Sequence, residues 1–209
     1  MTRAQGPGTE LSFRIFGTPG AARTVFVLRT GPAAILDPDP PTTIRRDVRI
    51  IAVQVTPAEL SDPGAYRGET PAELAVASLD ELVVEEVPDG ATVGVVGVGA
   101  AAAFSALFVC ELGERADRFA LVGVPAPSSA LDRDEGAGIL ARVRAKTLLL
   151  NGQGDGDAGA ASASWHRDHL SDARVEMVPR AGAGAKALGL TEVWPRVLSH
   201  VAPGTIRGT

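Results

Sequence analysis

From Ala91 to Cys110 the chain runs 20 residues without a charged side chain. A helix needs about 20 apolar residues to cross a bilayer, so this stretch forces a choice. Gly94, Gly97 and Gly99 break its first half, which is otherwise rich in valine, and its second half is rich in alanine. Glycines at that density are unfavourable inside one continuous helix. A strand, a tight turn and a buried helix account for the change in composition. The spacing therefore predicts a strand over Thr92 to Val98 with apolar residues on both faces, as in the interior of a parallel sheet. A helix over Ala100 to Leu112 follows it.

The rest of the chain fits around that unit. Leu11 to Phe16 alternates apolar and polar, Thr24 to Leu28 is short and apolar, and Val48 to Val55 is rich in β-branched residues; each reads as a strand. Four prolines between Gly31 and Pro41 argue against a regular helix there. Thr70-Pro71-Ala72-Glu73 has the form of a helix start, with Leu74, Leu79, Leu82 and Val83 facing inward. Arg118 to Val124, Thr147 to Leu150 and Arg174 to Val178 read as further strands. Ile139 to Ala145, Ser162 to Leu170 and Thr191 to Val201 read as helices. Alternating strands and helices predict an α/β fold: a mostly parallel central sheet with helices on both faces. Ligands of such sheets bind outside the carboxyl ends of the strands.

At 209 residues the chain is the size of one domain, which we place at 10–203 between a flexible tail over 1–9 and another over 204–209. The formal net charge is −5, and no basic stretch suggests a nucleic-acid face. Cys110 is the single cysteine, so neither an internal disulfide nor a cysteine-built metal site is expected. The first residues lack the apolar run of a secretion signal, and we expect a cytoplasmic protein with no membrane association. Abundant Ala, Gly and Arg with little Lys suggest a GC-rich bacterial source.

Three segments carry a resemblance. Thr92 to Pro127 (TVGVVGVGAAAAFSALFVCELGERADRFALVGVPAP) resembles the strand, nucleophile elbow, helix and strand of the α/β-hydrolase superfamily, in which a G-x-S-x-G serine sits on a strained turn. Gly152 and Asp155, in AKTLLLNGQGDGD, match the spacing before the acidic triad member. Arg174 to Gly184 resembles the last strand and the loop that holds the histidine, and EVWPRVLSHV the final helix. The resemblance implies a minimal α/β-hydrolase fold. Only about 20 residues separate Val124 from the next strand, so no cap domain is expected; loops between elements are usually shorter still.

The departures decide the function. The serine position falls on Gly99, and the histidine position on Ala183; of the triad only Asp155 remains. Arg29-Thr30-Gly31 replaces the family's His-Gly step. Nucleophilic catalysis requires an attacking atom and a base within reach of it, and glycine and alanine supply neither. The expectation is a non-catalytic protein with no catalytic residues, cofactor or metal. It would bind a small apolar ligand or a protein partner, with a homodimer among the options. The ligand-pocket rim would be Thr30, Gly31, Val98, Gly99, Ala100 and Asp155.

Two alternatives stay open: an esterase or lyase using an unrecognised residue, and a nucleotide binder through Gly97-Val98-Gly99, which matches a G-x-G-x-x-A fingerprint. The fingerprint's acidic residue is missing from the end of the next strand, Gly123-Val124-Pro125. Ser105 is expected to pack inside the helix, and Ser162 and Ser164 to cap one. His166 and His169, with Asp168 between them, are expected on a solvated face, and His200 at the end of the last helix. Asp155 and Asp157 lack the ligand pattern of a calcium loop. Cys110 is expected as a small core residue.

Overall fold

The computed structural model describes residues 2–5, 10–30, 37–55, 71–127, 130–179, 181 and 188–207. Among these the chain forms eight strands: β1 (Thr2–Gln5), β2 (Glu10–Gly17), β3 (Arg23–Thr30), β4 (Val48–Val55), β5 (Val93–Val98), β6 (Ala116–Val122), β7 (Lys146–Gly152) and β8 (Ala173–Val178). They make one sheet in the order β1-β2-β4-β3-β5-β6-β7-β8. β1 and β2 run antiparallel to their neighbours, and β4 through β8, with β3, are mutually parallel. The helices are α1 (Pro40–Thr43), α2 (Pro71–Glu86), α3 (Ala102–Leu112), α4 (Ala130–Arg142), α5 (Gly156–His169) and α6 (Leu190–Val201).

β5 lies between β3 and β6 and is buried along its length up to Val98. Its odd-numbered side chains, Val93 and Val95, join a core with Phe26, Phe119 and the helices α2 and α3. Val96 faces the opposite core, built by Val25, Ile50, Leu148 and the buried stripe Val193, Trp194, Val197, Leu198 and Val201 of α6. Helices therefore cover both faces, which is why β5 is apolar throughout rather than alternating. The uncharged stretch is a strand, turn and helix. Among the described residues no helix is long and apolar enough to cross a membrane.

The order of the strands fixes where a crevice opens. After β3 the chain moves outward to β4; after β5 it moves the other way, to β6. The carboxyl ends of β3 and β5 are thus a topological switch point, where connections diverge and leave space above the sheet.

Several boundaries differ from those read in the sequence. Residues 1–9 were expected as a tail, but Thr2–Gln5 pairs with the outer edge of β2 and covers it. The closing segment also docks: the Asp47 N–H donates to the Thr205 carbonyl at 2.7 Å, and Ile206 bridges Arg46. These contacts satisfy backbone groups just ahead of β4. α4 begins at Ala130, well before Ile139, and α5 at Gly156 rather than Ser162. In both, glycines inside the helix conceal its start, while alanines sustain it. The helix start at Thr70 lies outside the described residues, though α2 does begin at Pro71.

One buried cation ties the layers together. Arg23, at the start of β3, donates from Nε to the Val201 carbonyl at 2.9 Å, from Nη1 to Thr92 Oγ1 at 2.7 Å and from Nη2 to Asp117 Oδ1 at 2.5 Å. It thereby joins β3, the entry to β5, β6 and the end of α6. Replacing it with methionine keeps the apolar stem but leaves those acceptors without their donor. Because Asp117 is partly exposed and can regain water, we expect Arg23→Met to cost about 2 kcal/mol of unfolding free energy in urea denaturation. A loss below about 0.5 kcal/mol, the level of an ordinary surface change, would contradict this role.

Candidate functional site

Beyond Val98 the chain turns through a short 3-10 segment, Gly99–Ala101, into α3. Gly99 has φ +58°, a conformation that a residue with a Cβ adopts only under strain. A Cβ built on Gly99 meets nothing within 4 Å, so the turn points an empty position into open space. Two residues earlier the constraint is different. A Cβ on Gly97 would lie 2.6 Å from Ser105 Oγ, so this glycine lets α3 pack closely on β5. Ser105 itself is fully buried and donates to the Ala101 carbonyl at 2.7 Å, as expected for a packing residue. The glycines of Gly97-Val98-Gly99 thus serve helix packing and the turn.

Beside the turn lies a cavity of about 440 Å³. α3 supplies Ala103, Phe104 and Leu107, and the segment after β6 supplies Val124 to Pro127. α4 supplies Ile139 and Leu140, and α5 supplies Trp165 and His166. The lining is mostly apolar, of a size typical of small-molecule pockets. Of the expected rim, Gly99 and Ala100 line the cavity. Thr30, Val98 and Asp155 are placed elsewhere, and Gly31 lies outside the described residues.

Asp155 ends the 3-10 turn after β7 and is exposed. Ala183 lies outside the described residues, but Gly154 N–H donates to the Ala181 carbonyl at 2.7 Å. The turn carrying Asp155 is therefore joined to Ala181, two residues before position 183 in the sequence. Among the described residues no group of three His, Cys, Asp or Glu side chains is placed to hold a metal ion.

Three side chains at or behind the cavity wall have roles that the sequence did not show. Asn151, at the end of β7, accepts from the Val124 N–H at 3.1 Å and donates to the Gly159 carbonyl at 3.2 Å. Ser162 donates to the Val124 carbonyl at 2.6 Å, so it is a buried tie rather than a helix cap. Between them they fix both backbone polar groups of Val124. His166 was expected on a solvated face but is 5% exposed. The reason is the register of α5: Gly159, Ser162, Ala163 and His166 form its buried stripe. A stripe of small and polar residues carries little hydrophobic periodicity, so pattern reading overlooks it.

His166 Nδ1 lies 2.8 Å from the Ser162 carbonyl, an acceptor only, so Nδ1 carries the proton. Burial pushes the imidazole below its ordinary range, with the neighbouring His169 adding to the effect. His169 Nδ1 pairs with the Trp165 carbonyl at 2.7 Å, which ties it to its own helix as well. His200 Nε2 lies 3.0 Å from the Phe119 carbonyl and 2.9 Å from that of Lys146, bridging β6 and β7. Burial lowers its pKa too, reinforced by Arg118 and Arg174. Cys110 is half-buried, its thiol pushed up by burial, with Sγ 3.4 Å from the Ile139 carbonyl.

The architecture has solved counterparts. The chain resembles 2-hydroxy-6-oxo-6-phenylhexa-2,4-dienoate hydrolase from a Rhodococcus strain at TM-score 0.70 and 16% identity, covering 95% of this chain and 96% of that one. It resembles a dienelactone hydrolase from Anabaena variabilis at TM-score 0.68 and 16% identity, covering 99% and 97%. It also resembles the thioesterase domain of the curacin biosynthetic pathway at TM-score 0.67 and 12% identity, covering 95% and 96%. The protein has the α/β-hydrolase fold, and no cap domain is present among the described residues. No protein-family model matches the sequence, and no curated protein does.

The two depressed histidines set a pH dependence. Unfolded, each binds a proton near pH 6.5; folded, each resists until lower pH. The unfolded state therefore takes up more protons as pH falls below 6.5, and stability drops. Asp80, raised by burial and by Glu111, acts in the opposite sense, but nearer the carboxylate range. We expect denaturation midpoints to fall between pH 7 and pH 5, and to fall less in a His166→Phe, His200→Gln variant. Equal slopes in the two proteins would refute the assignment.

Proposed function

We propose that this is a non-catalytic α/β-hydrolase-fold protein that binds a small apolar molecule in the cavity beside Gly99. The observation that carries the reading is the turn itself. It keeps the geometry of a nucleophile elbow, with positive φ and open space where a side chain would project, yet the residue there is glycine. The sequence adds a second loss, since alanine stands at position 183 where the resembled family has its base. Removing one member of such a unit costs on the order of a millionfold in rate in a measured serine protease. Two removals leave fold and pocket without chemistry. The polar side chains around the cavity support this, because Asn151 and Ser162 spend their hydrogen bonds on the wall at Val124.

The pair Ser162 and His166, with Oγ 3.4 Å from Nδ1, is the arrangement an alternative esterase would use. It is poorly suited to the task. The Ser162 hydroxyl already donates to Val124, and Nδ1 is the protonated nitrogen, which cannot accept a proton from serine. The soluble, cytoplasmic setting expected from the sequence remains part of this proposal.

The test is hydrolysis of p-nitrophenyl butyrate. The unmodified protein is expected at the buffer rate, and Gly99→Ser alone likewise, since the new hydroxyl lacks a base. Gly99→Ser combined with Ala183→His is expected to show weak but measurable turnover. Turnover by the unmodified protein that disappears in Ser162→Ala would overturn the proposal in favour of the esterase reading.

A further inference from the structure

A second concavity, of about 580 Å³, opens where α6 meets the first residues of β6, β7 and β8. It lies on the opposite face of the sheet from the cavity beside Gly99, and at the opposite ends of the strands. Its lining is charged. Arg118 comes from β6, Lys146 from β7, Arg174 and Glu176 from β8, and Arg196 and His200 from α6.

The strand register explains why these side chains share one face. Arg118 pairs with Lys146 across β6 and β7, and Arg174 pairs with Leu148 across β7 and β8. Leu148 and Ala120 belong to the core beneath α6, and side chains alternate along a strand. Arg118, Lys146, Arg174 and Glu176 therefore all point to the α6 side. On α6, Arg196 and His200 are one turn apart and share a helix face. Three neighbouring strands, about 4.8 Å apart, spread their cations over about 10 Å.

Four cations thus face one carboxylate among the described lining residues, and Glu176 is 2.8 Å from Arg174. In a chain of formal net charge −5, positive charge is concentrated here. Like charges on adjoining strands repel one another. The repulsion reaches the wall of the groove. His200 shares its Nε2 proton between the Phe119 and Lys146 carbonyls, and its pKa is lowered by burial and further by Arg118 and Arg174. An anion seated in the groove would relieve this repulsion and gain charge-assisted hydrogen bonds.

We propose that this groove binds a compact oligoanion of about three negative charges, the surplus of four cations over one carboxylate, carried on phosphate or carboxylate groups. The volume is that of a small-molecule site. The short spread of the cations fits a compact ion rather than the backbone of a polymer. Three of the four cations are arginines, whose guanidinium forks match both phosphate and carboxylate oxygens.

The experiment is isothermal titration calorimetry on the full chain near pH 7.5 at about 0.15 M ionic strength, where distant surface charges are screened. The probes are inorganic tripolyphosphate, citrate and orthophosphate, and the first two tell phosphate groups from carboxylates. At least one of them is expected to bind one to one, about tenfold more tightly than orthophosphate. Affinities no greater than that of orthophosphate would overturn the proposal. Arg118→Gln combined with Arg196→Gln should weaken the binding by about tenfold. Arg133→Gln combined with Arg167→Gln, which makes the same charge change on α4 and α5 of the other face, should leave it unchanged. Equal losses in the two pairs would reduce the effect to net charge and overturn the site. A readout by NMR needs no variant: the titration midpoint of the His200 imidazole should rise when the oligoanion is bound. A midpoint that does not move in the saturated protein would place the ion elsewhere and would also overturn the proposal.

Discussion

The structure depends on burying β5 on both sides. A strand enclosed by helices must satisfy its backbone through its two neighbours and fill both faces with apolar or very small side chains. Val93, Val95 and Val96 do the filling, while Gly97 lets Ser105 of α3 come close. With β5 fixed in the middle, the chain must leave its carboxyl end sharply to reach α3. That requirement produces the turn at Gly99, and the switch between β3 and β5 places the turn at the edge of a crevice. Arg23 completes the lock from the other end of the strands, joining Thr92, Asp117 and the last turn of α6.

In an enzyme with this architecture the turn has two functions, one structural and one chemical. Here the structure shows the structural one. The positive φ at Gly99 serves the route of the chain, and a glycine adopts it at less cost than a serine would. Glycine takes this backbone conformation without the strain that a larger residue would carry. The same logic applies to the ties around Val124. Asn151 and Ser162 hold the end of β6 against β7 and α5, so the cavity wall is set by hydrogen bonds rather than by a cap over the site. An open pocket with a rigid wall and one oriented imidazole suits reversible binding.

The fold was legible because its strongest signals are local. The apolar run of β5, the beginning of α2 at Pro71 and the alternation of strands and helices after residue 48 all survive in the structure. The edge of the sheet was less legible: Thr2–Gln5 has no apolar pattern, and its place in the sheet is set by backbone pairing with β2. At the site, Gly99 was readable from motif spacing, and its backbone agrees. The cavity wall was not. His166 and Ser162 lie on a stripe of α5 whose small and polar residues look solvated in sequence. Their burial follows from the packing of α5 against β7 and the segment after β6, contacts between distant parts of the chain. A helix placed to start at Ser162 instead of Gly156 hid the register further. Asn151 was read only as part of a strand end, since its role depends on where Val124 and Gly159 come to lie.

The proposed loss of chemistry at the Gly99 turn means that no serine of the protein is activated. The most direct measurement is the intact mass of the unmodified protein after prolonged exposure to a fluorophosphonate, which reports any activated serine by a covalent adduct. This account predicts an unchanged mass, because Gly99 offers no oxygen and the Ser105 and Ser162 hydroxyls are buried and bonded to backbone carbonyls. A stoichiometric adduct mapped to a single serine would contradict it.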